Sequence, residues 1–224
     1  QTYLNCELCI ADGSTNVNTK NYITKLKDDR IKIKLLDDNK GIAGNTIEAF
    51  NLSEGQYILL LDHDDFLTPN ALYEVVSCIN ENSDIDFIFS DRAIVTEDRK
   101  KILAFHYLPG FSPDLLRTYN YASHLNVFSR SIIDEVGFER MGYDGSQDYE
   151  FELRVIEKAK KITHITKVLY FCRSCEGSVA QNATNKLYAY EAGKKALEEH
   201  IKRIGYPGEV TFNQRFFSYK INYG

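Results

Sequence analysis

One apolar run, Tyr57 to Leu61, ends directly in the tetrapeptide Asp62-His63-Asp64-Asp65. A run without a polar face is typical of a strand that is covered by helices on both sides of a sheet. The carboxylates that follow repel one another unless a cation or bound water compensates their charge. The run therefore predicts a central buried strand of an α/β protein, with an acidic site at its carboxyl end.

Short apolar strands alternate with helical patterns through the first half of the chain. Further strands are predicted at 8–11, 31–35 and 87–90. One helix is predicted through Ile47 to Leu52, and another from Thr68 as N-cap with Pro69 at the first helical position. This order predicts an α/β fold with a mostly parallel central sheet flanked by helices.

Acidic residues follow three of these predicted strands. Asp12, the Asp62 tetrapeptide and Asp91 each stand at a predicted carboxyl end. Ligands of open α/β sheets bind at that edge, so we expect these side chains to meet there.

The second half of the chain has a less regular pattern of strands and helices. A strand is predicted near 125–129, a helix from about Asp148, a strand over 167–171 and a long amphipathic helix over 187–204. Since no repeat or linker interrupts the chain, we expect residues 1–224 to form one domain.

Composition narrows the class of protein. The net charge of −5 argues against nucleic acid as a partner, because no basic excess exists to neutralise phosphates. No stretch reaches the roughly 18 apolar residues of a membrane-spanning helix.

The odd count of 5 cysteines predicts reduced thiols and a cytoplasmic protein. Two C-x-x-C pairs, Cys6 with Cys9 and Cys172 with Cys175, leave a zinc site open, but small hydrophobic strand residues are the favoured interpretation.

The acidic tetrapeptide suits a hard divalent cation. Mg²⁺ and Mn²⁺ prefer carboxylate oxygens and share them with substrate phosphates. The competing interpretation is a solvated acidic turn before a helix.

Two features of the second half suggest further chemistry. Asp148 is predicted in the first turn of a helix after Ser146, where the helix dipole favours an ionised carboxylate that can act as a base. Arg173 is predicted where a strand gives way to a loop, and its guanidinium could clamp a diphosphate. Taken alone, the segment around Asp148 also fits an ordinary helix start, and Arg173 also fits an ordinary solvated arginine.

Taken together, these segments resemble family 2 of the glycosyltransferases, which has the GT-A fold. Asn39 to Asn45 is similar to the family's N-x-G-x-x-x-N loop, and Asp62 to Asp65 to its D-x-D metal motif. A bacterial subgroup that builds surface polysaccharides has similar later motifs: P-D-W-S-P-D-L-L, G-x-x-G-x-Q-D and Y-x-W-R. They correspond here to Pro109–Leu116, Gly142–Asp148 and Tyr170–Arg173, with Cys172 in place of Trp.

The resemblance implies an activity. It implies the inverting transfer of a sugar from a nucleotide-diphosphate sugar to the hydroxyl of a glycan or lipid-linked acceptor, in cell-surface polysaccharide biosynthesis. The half that binds the nucleotide sugar would be about 1–95, and the acceptor half about 96–224. The family's first strand and helix precede the segment that matches Gln1, so we expect that strand to be absent from this sequence.

The resemblance also implies roles for single residues. Asp64, helped by Asp62, would bind Mn²⁺ or Mg²⁺, and Asp148 would be the catalytic base. The remaining roles fall into two groups: nucleotide-sugar binding by Asp12, Asn39, Asp62 and Arg173, and acceptor contacts by Asp91, His124 and Gln147.

Two other functions compete with this one. A non-catalytic nucleotide- or sugar-binding module would keep the fold without turnover. A haloacid-dehalogenase-like phosphatase would use Asp62 as nucleophile and Asp64 as general acid, but that family has Thr or Val where Phe66 stands. For the transferase we expect a cytoplasmic location, with any association at the inner face of the membrane made through the parent protein.

Overall fold

The fold is described from a computed structural model for residues 1–174, 187–213 and 218–223. The helices and strands follow one another in this order: β1 (Leu8–Asp12), α1 (Val17–Ile23), β2 (Ile31–Leu35), α2 (Gly41–Phe50), β3 (Tyr57–Leu60), β4 (Phe66–Leu67), α3 (Ala71–Glu81), β5 (Phe87–Thr96), β6 (Ile102–His106), α4 (Pro113–Leu116), β7 (Asn126–Ser129), α5 (Arg130–Val136), α6 (Gln147–Lys158), β8 (Ile162–Ser174), α7 (Leu187–Arg203), β9 (Glu209–Asn213) and β10 (Ser218–Asn222).

The central sheet has six strands in the order β3-β7-β5-β8-β4, and β6 adds to β5. It is mixed rather than mostly parallel, which corrects the strand orientation expected within the α/β class. Strand β7 comes from the second half of the chain and lies antiparallel to both β3 and β5. Strands β3 and β5 thus run in the same direction, as predicted, but they are separated by β7. Only β8 pairs with β5 in parallel in this sheet.

The position of β3 also differs from the prediction. Strand β3 stands at one end of the six-stranded order instead of its centre. The first two strands pair in parallel with each other in a separate two-stranded sheet. The all-apolar sequence of β3 therefore reflects cover on both of its faces, not neighbours on both of its edges.

The helices cover both faces of the central sheet, as predicted. Successive strand residues point to opposite faces, and neighbours in β7 and β5 belong alternately to two apolar clusters. Phe128 and Phe87 pack in the cluster that holds Phe151 of α6, whereas Val127 and Ile88 pack in the other cluster, which includes residues of α3. The arrangement has a helix layer, a sheet and a second helix layer.

Two boundaries matter for the site. Helix α3 starts at Ala71 with Asn70 as N-cap, not at Thr68, because the Thr68 N–H donates to the Leu169 carbonyl and extends the pairing of β4 with β8. Strand β5 continues to Thr96 instead of ending before Asp91, so Asp91 lies inside a strand.

Two further observations concern the whole of the described chain. In that part, no helix combines the length and the apolar character needed to cross a bilayer. Cys6, Cys9, Cys78 and Cys172 are free thiols, and Cys175 lies outside the described residues.

Candidate active site

The acidic loop after β3 is fixed by the last residues of β8. The Arg173 backbone N–H donates to Asp65 Oδ1 at 2.7 Å. The Asp62 N–H donates to the Tyr170 hydroxyl oxygen at 3.2 Å, and that hydroxyl is also bonded to the Asp65 carboxylate. Tyr170 therefore links the two ends of the loop.

His124 joins this loop from the segment before β7. Its Nε2 lies 3.7 Å from Asp62 Oδ2, and its ring stacks on Tyr170 with centroids 4.8 Å apart. Ligand atoms of Asp62, Asp65 and His124 lie within 4.8 Å of one another, which is a spacing that can hold a metal ion. Asp64, which was predicted as a metal ligand together with Asp62, is not in this cluster.

The charges of the loop shift the proton affinities of these groups. Burial raises the pKa of Asp62, and the nearby charge of Asp64 raises it further. Burial also raises the pKa of Asp65, although hydrogen bonds from Arg173 and Tyr170 oppose the shift. Burial lowers the pKa of His124 despite the negative charge of Asp148, so the ring favours its neutral form, in which a nitrogen lone pair can bind a metal.

Asp148 lies in the first turn of α6, as predicted, with Ser146 at the N-cap position. Burial raises the pKa of its carboxyl, while His124 and the backbone N–H of Tyr149 lower it. The start of the helix thus lowers the pKa of Asp148, as expected, but burial raises this pKa by more than the helix lowers it. The charge of Asp62 also raises the pKa of Asp148, so the acidic loop lies close enough to the candidate base to affect its protonation.

Glu139 is a further carboxyl of this site. Its side chain is buried and its Oε2 has no hydrogen-bond partner within the described residues. Burial raises its pKa to about 8, and the charges of Asp148 and Asp62 add to the shift. Sequence reasoning missed Glu139 because nothing in the local pattern distinguishes it from a solvated glutamate.

Asp12 and Asn39 lie together at the carboxyl ends of β1 and β2. Asp12 is buried, accepts a hydrogen bond from the Ser14 N–H at 3.0 Å and leaves Oδ2 unpaired among the described residues. Asn39 Oδ1 accepts from Asn45 Nδ2 at 2.9 Å and from the Gly41 N–H at 3.0 Å, so its amide holds the start of α2. A Cβ on Gly13 would lie 3.0 Å from Asn39 Cα, which explains the glycine next to Asp12.

The remaining predicted residues have different surroundings. Arg173 lies within β8 rather than in a loop, and its buried Nε has no partner among the described residues. Gln147 Oε1 accepts from the Gly145 N–H at 2.9 Å and shapes the turn before α6. Asp91 is buried, and its Oδ1 is bonded to His164 and to the Leu108 N–H, both at 2.9 Å. That carboxylate ties strands together, which argues against an acceptor contact.

Comparisons with known proteins show the family of this chain. A family model described as glycosyl transferase family 2 matches residues 1–142. The chain is 40% identical to the uncharacterised protein y4gI of Sinorhizobium fredii over 98% of this chain and 25% of the relative. It is 30% identical to the O-antigen biosynthesis protein RfbC of Myxococcus xanthus over 94% of this chain and 17% of that protein. The chain thus spans a quarter or less of the length of these relatives.

Solved structures show the same fold. The structure of S. aureus TarS residues 1–349 in complex with UDP-GlcNAc superposes with a TM-score of 0.68, covering 87% of this chain and 57% of the 1–349 chain, at 16% identity. At this identity the likeness establishes the fold alone, which is the GT-A-like α/β fold expected from the sequence.

Proposed function

Because this chain belongs to glycosyl transferase family 2, we propose that it transfers a sugar, with inversion, from a nucleotide-diphosphate sugar to an acceptor hydroxyl. The acceptor is a glycan or a lipid-linked glycan in the assembly of a surface polysaccharide, a proposal that the O-antigen role in the name of the relative RfbC supports. The observation that supports the proposal is that His124 lies beside Asp62 and that both residues shift the pKa of the buried Asp148. The cytoplasmic location and a contact with the membrane face stay predictions.

The acidic loop fits a divalent cation. Asp62 and Asp64 would hold Mn²⁺ or Mg²⁺, with the neutral His124 ring as a third ligand beside Asp62. Carboxylates that outnumber a single imidazole suit these hard ions. When bound, the cation neutralises the charge of the departing diphosphate. Asp65 is the alternative second carboxylate, but its hydrogen bonds to Arg173 and Tyr170 give it a supporting role.

The donor would lie between β1 and the end of β8. Asp12 offers a free, buried Oδ2 for the nucleotide base, with Asn39 beside it. Arg173 has an unused Nε–H donor next to the acidic loop, which is what a diphosphate clamp requires. These groups would fix the anomeric carbon toward Asp148.

Asp148 would accept the proton of the attacking hydroxyl. A raised pKa brings a carboxylate closer to the value at which a base is effective near neutral pH. Attack from the face opposite the diphosphate inverts the configuration of the sugar. Gln147 adjoins the base at the start of α6 and remains the acceptor contact that we propose from the sequence.

The test is a screen of nucleotide-diphosphate sugars with Mn²⁺ and oligosaccharide acceptors, read out by release of the nucleoside diphosphate. NMR of the product should show an anomeric configuration opposite to that of the donor. Asp148→Asn should lower kcat by about 10²–10⁴-fold and leave binding of the nucleotide intact. Retention of configuration, or an unchanged kcat in this variant, would contradict the proposal.

The same screen separates the alternatives. A non-catalytic module would bind nucleotides without turnover and without a need for metal. A phosphatase would release phosphate from a generic phosphomonoester. No contact in the described part of the chain favours the phosphatase.

A further inference from the structure

A buried polar cluster lies beneath Asp148. Glu152, one helical turn later on α6, is fully buried, and Asn126 Nδ2 donates to its Oε1 at 2.5 Å. Asn120 Nδ2 donates to the same oxygen at 3.4 Å and to Asp148 Oδ2 at 3.2 Å. The Asn120 amide therefore connects the two carboxyl groups.

Three oxygens of this cluster have no donor. Asn120 Oδ1, Asn126 Oδ1 and Glu152 Oε2 are buried and lack a hydrogen-bond partner within the part of the chain that is described. Buried acceptors without donors are costly. A proton on Glu152 converts one of these acceptors into a donor that can serve another.

The charges around Glu152 also favour that proton. Asp148 is the anionic neighbour on its own helix, and Tyr121 and Tyr149 face it as uncharged phenols. Arg92 of β5 is the opposing cation, but its Nη1 is bonded to the Ser123 backbone oxygen and, at 2.9 Å, to the Ser123 hydroxyl. Burial and the charge of Asp148 raise the pKa of Glu152 well above its usual value.

Two carboxyl groups joined by one amide cannot both ionise cheaply in a buried site, and their environments decide which one keeps the proton. Asp148 has the backbone N–H groups of Asp148 and Tyr149, at the start of α6, to stabilise its charge. Glu152 has the two asparagine amides. The negative charge is therefore better placed on Asp148.

We propose that Glu152 is a neutral acid at neutral pH and acts as a positioning residue, holding the Asn120 amide so that it orients an ionised Asp148. The proposal rests on the proposed function, in which Asp148 is the base. With its proton on Oε2, Glu152 leaves Asp148 as the carboxylate of the pair that can take the proton of the acceptor.

The protonation of Glu152 can be measured without any substrate. Infrared spectra of the wild type at neutral pH should contain a carbonyl band of a buried carboxylic acid that Glu152→Gln removes. Glu157→Gln is the matched control, because Glu157 is also on α6 but is paired with His200 and Arg203. Burial tends to raise the pKa of Glu157, yet these partners lower it, so its carboxylate gives no acid band. Identical spectra for wild type and Glu152→Gln would overturn the proposal.

The positioning role is tested by kinetics with the best nucleotide sugar. Glu152→Gln is isosteric and neutral, so it should retain the kcat and the pH profile of the wild type. Glu152→Ala and Asn120→Ala release the amide and should lower kcat by about 100-fold while leaving KM for the donor unchanged. Thermal unfolding confirms that each variant is folded.

Two results would contradict the role. One is a loss of kcat in Glu152→Gln as large as in Glu152→Ala. The other is a shift of the acidic limb of the pH profile in Glu152→Gln, since that would show a charged Glu152. If the wild type turns over no nucleotide sugar, the proposed function fails, and the infrared result alone then decides whether Glu152 carries the proton.

Discussion

At the residue scale, the site depends on side chains that fix the charged groups. Tyr170 contacts the Asp62 N–H, the Asp65 carboxylate and the ring of His124 at once. It is fully buried, so its hydroxyl has a defined position. Such outer contacts orient the groups that bind a metal.

We predict that Tyr170→Phe weakens metal-dependent nucleotide binding by about 10–100-fold, because the loop loses the hydroxyl that links its two ends. The stacking on His124 should persist, so the fold should remain. Isothermal titration in the presence of Mn²⁺ measures the change. Tyr107→Phe, at an exposed tyrosine, is the control and should bind as the wild type does. Equal affinities in the two variants would show that the hydroxyl has no such role.

Glu139 predicts a pH dependence of stability. Its carboxyl has a pKa of about 8 in the folded protein, above the value of the unfolded chain, so the folded state binds the extra proton between those two values. Stability is therefore highest below the unfolded value and falls as pH rises through the window up to about 8, with a slope of at most about 1.4 kcal/mol per pH unit from this group.

Glu139→Gln should remove that part of the decline. Urea unfolding in a chelator at several pH values between about 5 and 8 measures it, and the variant should gain stability relative to the wild type as pH rises. A constant difference between the two proteins across this range would contradict the assignment.

The sequence indicates carboxylates that follow a strand or begin a helix better than carboxyl groups that are buried by distant contacts. Asp62 and Asp148 stand at a strand end and a helix start, which are local features. Glu139 and Glu152 owe their properties to burial and to partners far away in the chain. The strand end predicted at Asp91 was wrong because β5 continues past this residue. Such environments are set by tertiary contacts that no local pattern records.

At the element scale, β7 organises the central sheet. Its residues are all buried, and Phe128 stacks on Phe87 with centroids 4.7 Å apart and meets Phe151 of α6 edge-on at 4.8 Å. The segment before it carries Asn120 and His124 into the site. The packing of β7 therefore connects the core to the site.

Phe128→Ala should lower the free energy of unfolding by about 3–5 kcal/mol, because it opens a cavity between the sheet and α6. Urea unfolding measures the loss, and Phe105→Ala at an exposed position of β6 should change it far less. A loss below about 1 kcal/mol for Phe128→Ala would mean that the core closes around the missing ring.

The positions of the helices and strands along the chain were largely predictable, whereas the pairing of the strands in the sheet was not. Apolar periodicity located β2, β3, α6 and α7 to within a few residues. The insertion of β7 between β3 and β5 depends on a long-range pairing, which has no signature in either segment. For that reason the α/β class was confirmed while the mostly parallel sheet was wrong.

At the scale of the whole molecule, the site that we propose draws on residues from distant parts of the chain. Asp12 and Asn39 come from the first two strands, the acidic loop follows β3, and Asp148 and Arg173 come from the second half. The division into a nucleotide-sugar half and an acceptor half remains a prediction. The central claim is that a divalent cation on the acidic loop binds the diphosphate of the donor.

Calorimetric titration of UDP and GDP into the protein, with and without Mn²⁺, tests that claim most directly. We expect binding of at least one nucleotide only with Mn²⁺, and its loss in Asp64→Ala but not in Asp134→Ala, at an exposed aspartate of α5. Equal binding without the metal, or unchanged metal-dependent binding by Asp64→Ala, would contradict it.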